Sequence, residues 1–546
     1  MDNYVYQIIQ HISLWFFFLL PILGYAEIHY RIPFLPSRLY RKEPEIIFDL
    51  PIRAQKDTPV PLFLFIKDAH HFPVWLQSLR ITIVNSHTRE DKVVELNLDL
   101  EVKESFYSET IWLDPNNFPA AGEYRINARL NYRDSRKRER QLIQDNYRGI
   151  PHPPFEIRIS EEVLPKQNGW YWGDLHFHSN FTSDQVEFGA PLSAGIEAAK
   201  TIGLDFLAVT DHSYDLDDHP DDYSKNDPQL KKWSLIRDEV RQLNLDSQNF
   251  CLIPGEEVSV GNSRGKNVHC LVLDEKTFLP GDGDSGEKPL RNRPTLDLPE
   301  LLRRKSADSL AIAAHPVEQP PLSQKLILRR GTWHIDDFSS NELNVLQILN
   351  SGNFESLENG LKLWQDLLLR RKKYGIVAGN DAHGNYNSFR QVKIPLLKMD
   401  YHREHLFGEA RTAVRSPGLN RKDILRSIRE HRCLISTGPF LNPEIHHGEQ
   451  VAGIGDMVRI KDKSIIRITG ISTAEYGPWQ SVQMVLGNYQ KKREIKKKID
   501  IPLNNHQFAE KITLSDQPDY IRLEGFTRSG DRTYFCLTNP IWMERS

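Results

Sequence analysis

The sequence predicts an α/β chain in which a parallel, barrel-like core lies between two β-rich flanks, and two patterns carry that expectation. From Trp170 onward, short apolar runs alternate with helix-forming segments, as parallel strands joined by helical crossovers do. Before and after that region, apolar and polar residues alternate with a period of two, which half-buried antiparallel strands require. A chain of 546 residues exceeds one ordinary core, so several domains are expected.

Residues 1–43 form an apolar segment and a linker. No Lys, Arg, Asp or Glu lies between Asp2 and Glu27, and residues 14–26 are rich in Leu and Phe. A membrane span needs roughly 20 apolar residues, and this stretch is long enough. Arg31, Arg38, Arg41 and Lys42 follow it. By the positive-inside rule the body of the protein then sits on the cytoplasmic face of a membrane, tethered through residues 3–26, with export as the alternative.

Residues 44–165 read as a β-sandwich: Leu96, Leu98, Leu100 and Val102 alternate with Asn97, Asp99 and Glu101, and residues 124–132 repeat the pattern. The basic run at 136–140 fits a charged hairpin tip or a protected edge strand. In residues 168–439 a helix is expected over 191–202, stopped by Gly203, and then a buried strand over 204–210. Strands are expected at 251–258 and 268–273, and helices at 299–305 and 354–373 precede the apolar runs 310–314 and 376–380. The Gly-, Asp- and Pro-rich stretch 279–294 reads as a mobile surface loop, and 322–340 as an excursion near the site. After a helix over 421–432, residues 440–546 form a second β-rich region, in which Ile466, Ile468, Ile521 and Leu523 alternate with polar partners.

Lys and Arg number 70 against 73 Asp and Glu, a net charge of -3, so bulk charge argues for neither nucleic acid nor an anionic membrane. Cys251, Cys270, Cys433 and Cys536 are scattered and read as buried free thiols rather than a disulfide framework.

The chemistry begins at His176 and His178, two apart in a strand-like run, where both imidazoles face the same side. Asp184, His212, Glu257, His269, His315, Asp381 and His383 follow, nearly all at or just beyond the C-terminal end of a predicted strand; His269, near a strand start, is the exception. Nine candidates exceed the four ligands that one zinc usually takes, and they suit a cluster. Asp211 reads as a group orienting His212 or as a turn cap, and Arg264 and Lys266 as contacts to a substrate phosphate or as a solvated loop.

The motifs run in a set order: His-x-His with a following Ser-Asp at 176–184, Thr-Asp-His at 210–212, Pro-Gly-x-Glu at 254–257, the strand-borne His269, Ala-His-Pro at 314–316 and Asp-x-His at 381–383. In that order and spacing residues 170–439 resemble the polymerase and histidinol phosphatase (PHP) family of metal-dependent phosphoesterases. The resemblance implies a distorted (β/α)7 barrel, here flanked by two β-sandwich-like domains, holding two or three divalent ions (Zn, Mn or Fe). It implies one metal on His176, His178, Glu257 and Asp381. A second shares Glu257 and adds His269 and His315, and a third takes Asp184, His212 and His383. Two departures stand out: Asp184 falls one residue later than the family spacing, and Glu256 offers a second carboxylate beside Glu257. The flanks resemble a branch that includes a carbamate-ester hydrolase and relatives labelled exonucleases.

The expected activity is cleavage of a phosphate ester, exonuclease-like on nucleic-acid ends or on nucleotides, with Glu257, Asp381 and His178 around a metal-bound hydroxide. One alternative is an amidohydrolase-like hydrolase of carbamate or carboxylic esters. The other is a non-catalytic, membrane-tethered binding protein.

Overall fold

The computed structural model describes residues 42–182, 188–220, 222–247, 249–285, 292–352, 354–394, 398–403, 405–460, 464–502, 504–514 and 517–545. The apolar segment 3–26, Asp184 and part of the 279–294 stretch lie outside them. Among the described residues no helix is long and apolar enough to cross a membrane.

Two sheets face each other between residues 45 and 160, one of three strands and one of six. The period-two pattern sets which side is buried: Gly122–Arg133 turns Tyr124, Ile126, Ala128, Leu130 and Tyr132 inward. They pack with Phe48, Leu62, Leu64 and Ile81 into one apolar core. The basic run at 136–140 spans the tip of the hairpin between Gly122–Arg133 and Glu139–Ile143, where Asp134 pairs with Arg138 and Arg140.

The expected (β/α)7 barrel is not what the chain builds. Its centre is a fifteen-stranded mixed sheet whose path runs from Gly375–Gly379 at one edge to Arg493–Lys498 at the other. Two parallel runs exist, Trp170–Phe177 with Phe206–Val209 and Cys251–Gly261, and Leu310–Ala313 with Leu343–Asn350 and Gly375–Gly379. Between them Asn267–Leu273 pairs antiparallel on both sides. The cause is the connection: only residues 262–266 separate it from the preceding strand, and a parallel crossover needs about a dozen residues or more. On the other side Trp170–Phe177 pairs antiparallel with Arg411–Arg415, and the sheet continues antiparallel through Cys433–Ser436, Arg532–Thr538, Tyr520–Ser529 and Trp479–Asn488.

Helices cover parts of this sheet. Leu192–Ile202 ends at Gly203, whose φ of 104° is the left-handed conformation of a helix C-cap, and Asn420 starts Arg421–Arg429 by accepting from Asp423 N.

The sheet bends enough to bring the chain after Gly375–Gly379 against the end of Trp170–Phe177. Asp381 N donates to His176 O and His178 N to Ala382 O, both at 2.9 Å. Buried Asp174 reinforces this junction, accepting from Asn380 Nδ2 at 2.6 Å, Asn380 N at 3.1 Å and His176 N at 3.0 Å. The N-terminal sandwich supports the same place from outside. Buried Asp49 accepts from Asn387 N at 2.9 Å and Tyr386 N at 3.2 Å, and Arg390 Nε donates to Asp145 at 2.8 Å.

Candidate metal centre

Eight of the nine candidate ligands converge in one hollow formed where these strands end. His176 lies in Trp170–Phe177 and His178 follows it; His212 comes shortly after Phe206–Val209; Glu257 and His269 lie on the antiparallel pair Cys251–Gly261 and Asn267–Leu273. His315 and Asp381 stand two residues beyond Leu310–Ala313 and Gly375–Gly379. Both have positive φ, 27° and 53°, a strained conformation for a side-chain-bearing residue that recurs at functional sites.

The group with four members is His176, His178, Glu257 and Asp381. The Nε2 atoms of His176 and His178 are 3.0 Å apart. His176 Nε2 lies 3.3 Å from both Glu257 Oε2 and Asp381 Oδ1, and His178 Nε2 lies 3.3 and 3.1 Å from the same two atoms. Four donors each about 2.0–2.1 Å from a tetrahedral zinc stand roughly 3.3 Å from one another, so these four side chains could hold such an ion. The tautomer fits as well: His176 Nδ1–H donates to Gln347 Oε1 at 2.9 Å, which leaves the Nε2 lone pair facing the cluster.

Glu257 has a second oxygen with a second set of neighbours. Oε2 faces His176 and His178, and also His212 Nδ1 at 3.0 Å, whereas Oε1 lies 2.6 Å from His269 Nδ1 and 3.2 Å from His315 Nε2. A carboxylate divided in this way can bridge two ions. A third group, His178, His212 and His383, lies alongside, with the His178 and His383 rings stacked at 3.9 Å. His178 stands with His212 and His383 in this group, and Asp184, the expected third ligand there, lies outside the described residues.

Charges within the hollow are strongly coupled. Burial opposes a proton on His176, yet Asp381 and Glu257 outweigh it and raise its pKa to about 10. Burial and Arg330 likewise oppose charge on His269, but Glu257 and Asp284 raise its pKa to about 9. Burial by itself would raise both carboxylates. Instead the surrounding histidines hold Glu257 and Asp381 well below the ordinary range, so both are anionic. Glu256 points the other way, to Trp233 Nε1 at 3.0 Å and Ser213 Oγ at 3.3 Å, and burial pushes its pKa up to about 8. The alternative carboxylate is thus a neutral core acid at neutral pH.

Several partners escaped the sequence reading. Asp284, from the stretch expected to be a mobile loop, is buried; it lies 2.8 Å from His269 Nε2 and accepts from Arg330 Nε at 2.9 Å. Residues 283–285 are therefore buried against the site, and the expectation of a surface loop is corrected there. Arg330 belongs to the 322–340 excursion, and its Nη2 reaches His269 Nε2 at 2.8 Å. Asn350 donates to Asp381 Oδ2 at 3.4 Å and to Glu318 at 3.0 Å. None of these has a motif, because each arrives from a loop or a strand distant in sequence. Asp211 acts as a cap: it accepts from Ser179 N at 2.9 Å, Thr182 N at 3.0 Å and Thr182 Oγ1 at 2.7 Å, fixing the turn after His178. Arg264 and Lys266 sit on the rim, against His334 and Gly331.

Gly379 supplies the clearance that His176 needs. A Cβ there would stand 2.5 Å from His176 Cβ and 3.0 Å from Gln347 Nε2. Gly379→Ala is expected to lose about 1–3 kcal/mol of stability and to weaken metal binding, read as a lower urea midpoint and a weaker metal titration. A variant unchanged in both would show that the two strands do not need this close approach.

No family model matches the chain, and no curated protein does. Among solved structures, a glycosyl hydrolase family 2 member from Bacteroides cellulosilyticus is similar at 9% identity and a TM-score of 0.17; it covers 92% of this chain, which spans 64% of that protein's length. A similarity of that size carries no argument about fold or function.

Proposed function

We propose that the chain is a metal-dependent hydrolase of phosphate esters, in keeping with its resemblance to the PHP family. The cage of His176, His178, Glu257 and Asp381, with donor spacings of 3.0–3.3 Å, is the observation that supports this most. These four side chains would hold a divalent ion, which when bound would supply Lewis acidity and lower the pKa of a water. Glu257 balances charge on both sides of the hollow through its two oxygens, and Gln347 keeps His176 in its ligating tautomer. Asp381, held in place by the Asp174–Asn380 junction, closes the cage.

Arg330 favours a phosphate over a carbamate. Its guanidinium lines, with His269, His315 and Asp381, a cavity of about 120 Å³ that opens beside the cage. A planar fork of donors there suits phosphoryl oxygens, and Asp284 fixes its orientation. Arg330→Gln is expected to raise KM about tenfold or more, the loss of a charge-assisted hydrogen bond, with kcat and metal content little changed. A fall in kcat with KM unmoved would instead assign Arg330 to the metal centre.

The test is turnover by the purified protein with zinc or manganese, compared with chelated protein, on phosphomonoesters, phosphodiesters, oligonucleotides and carbamate esters. Metal-dependent release from phosphate esters supports the proposal. Turnover of carbamate esters alone would move it to the amidohydrolase-like alternative, and no turnover on any of them would favour a binding protein.

A further inference from the structure

The short helix Leu322–Ile327 forms one lip of this cavity. Its inner side supplies Gln324, and Pro320 and Pro321 lead into it, so it lines the same hollow as His269 and His315. Its outer side carries Leu322 and Leu326, one turn apart and 71% and 70% exposed. Single exposed leucines are ordinary, but two stacked at the mouth of a polar site are a small apolar face that points outward.

Cations surround that face. Lys325 lies on the same turn, Arg329 follows it and reaches Gly265 O at 3.4 Å, and Arg264 and Lys266 stand on the adjoining loop. None of the four forms an ion pair among the described residues. The nearby acids are engaged elsewhere, Asp336 with His334 and Asp337 with the backbone of Ser263 and His334. Exposed aliphatic side chains ringed by unpaired Lys and Arg match a bilayer whose headgroups are acidic. Single-stranded nucleic acid would be met by exposed aromatic rings for base stacking, and the tryptophan of this lip, Trp333, is buried. The chain also carries an uncharged apolar stretch at residues 3–26, long enough for a bilayer.

We infer that this lip docks on an anionic lipid surface and that the phosphate ester presented to the site is carried by that surface; the second clause rests on the proposed hydrolase activity. The full chain is tested as Leu326→Cys labelled with an environment-sensitive dye, which the four native cysteines, all buried, leave selective. The emission is expected to shift to the blue on vesicles of phosphatidylcholine with phosphatidylserine. The same dye at Leu245→Cys, 74% exposed on a different helix, is expected to stay unshifted. Lys325→Gln with Arg329→Gln is expected to weaken the response about thirtyfold, the attraction of two basic residues to an acidic surface. No shift at 326, an equal shift at 245, indifference to the paired substitution, or a shift with an oligonucleotide in place of vesicles would overturn the inference. Because the dye reads docking without turnover, its failure is distinguishable from a failure of the hydrolase assay.

Discussion

Glu257→Gln is expected to leave the protein folded, to lower its bound metal by at least one ion, and to reduce phosphate-ester hydrolysis by about three orders of magnitude. The substitution keeps the shape of the side chain and removes its charge. Both oxygens are committed, Oε2 to His176, His178 and His212, and Oε1 to His269 and His315. A neutral amide satisfies neither side and places an NH2 where lone pairs are needed. Glu256→Gln is the matched control. That acid is already protonated at neutral pH and faces Trp233, so its amide should retain metal and activity. Metal analysis of the two variants decides the matter, and the reverse pattern would make Glu256 the ligand.

The second large effect is a coupling between metal and protons. Without metal, Asp381 and Glu257 raise the pKa of His176 to about 10, and Glu257 and Asp284 raise that of His269 to about 9, so both imidazoles favour their charged forms at neutral pH. An ion in the cage must displace the proton of His176, and an ion on the other side of Glu257 that of His269. The affinity for each ion should therefore rise about tenfold per pH unit through the neutral range, levelling off near pH 10 for the ion on His176 and near pH 9 for the ion on His269. One proton per bound ion, two when both sides of Glu257 are loaded, should appear in the buffer, measurable by calorimetry in buffers of different ionisation enthalpy. An affinity that becomes flat above pH 7 would mean that these imidazoles titrate like ordinary histidines and that the carboxylates do not hold them charged.

Local chemistry was legible in the sequence where it was written in neighbouring residues. His176 and His178 share a face because a strand has a period of two, and the alternation in Gly122–Arg133 identified a half-buried strand for the same reason. The direction of the central strands was not legible. Every residue of Asn267–Leu273 is buried, and a run with no exposed face reads the same whichever way its neighbours point. The short connection 262–266 held the answer, but the repeated strand-and-helix pattern around it was extended across it. Arg330 and Asp284 were missed for a different reason. A loop cation and a loop acid have no periodicity, and only the folded chain brings them to His269.

The bond from Asp49 to the backbone just past His383 has a practical meaning for anyone dissecting this protein. A fragment trimmed to residues 168–439 would retain the cage side chains yet lose the strut that steadies their last segment, and also the C-terminal strands that continue the same sheet. Such a fragment should make a poor surrogate for the whole, and its inactivity would say little about the ligands themselves.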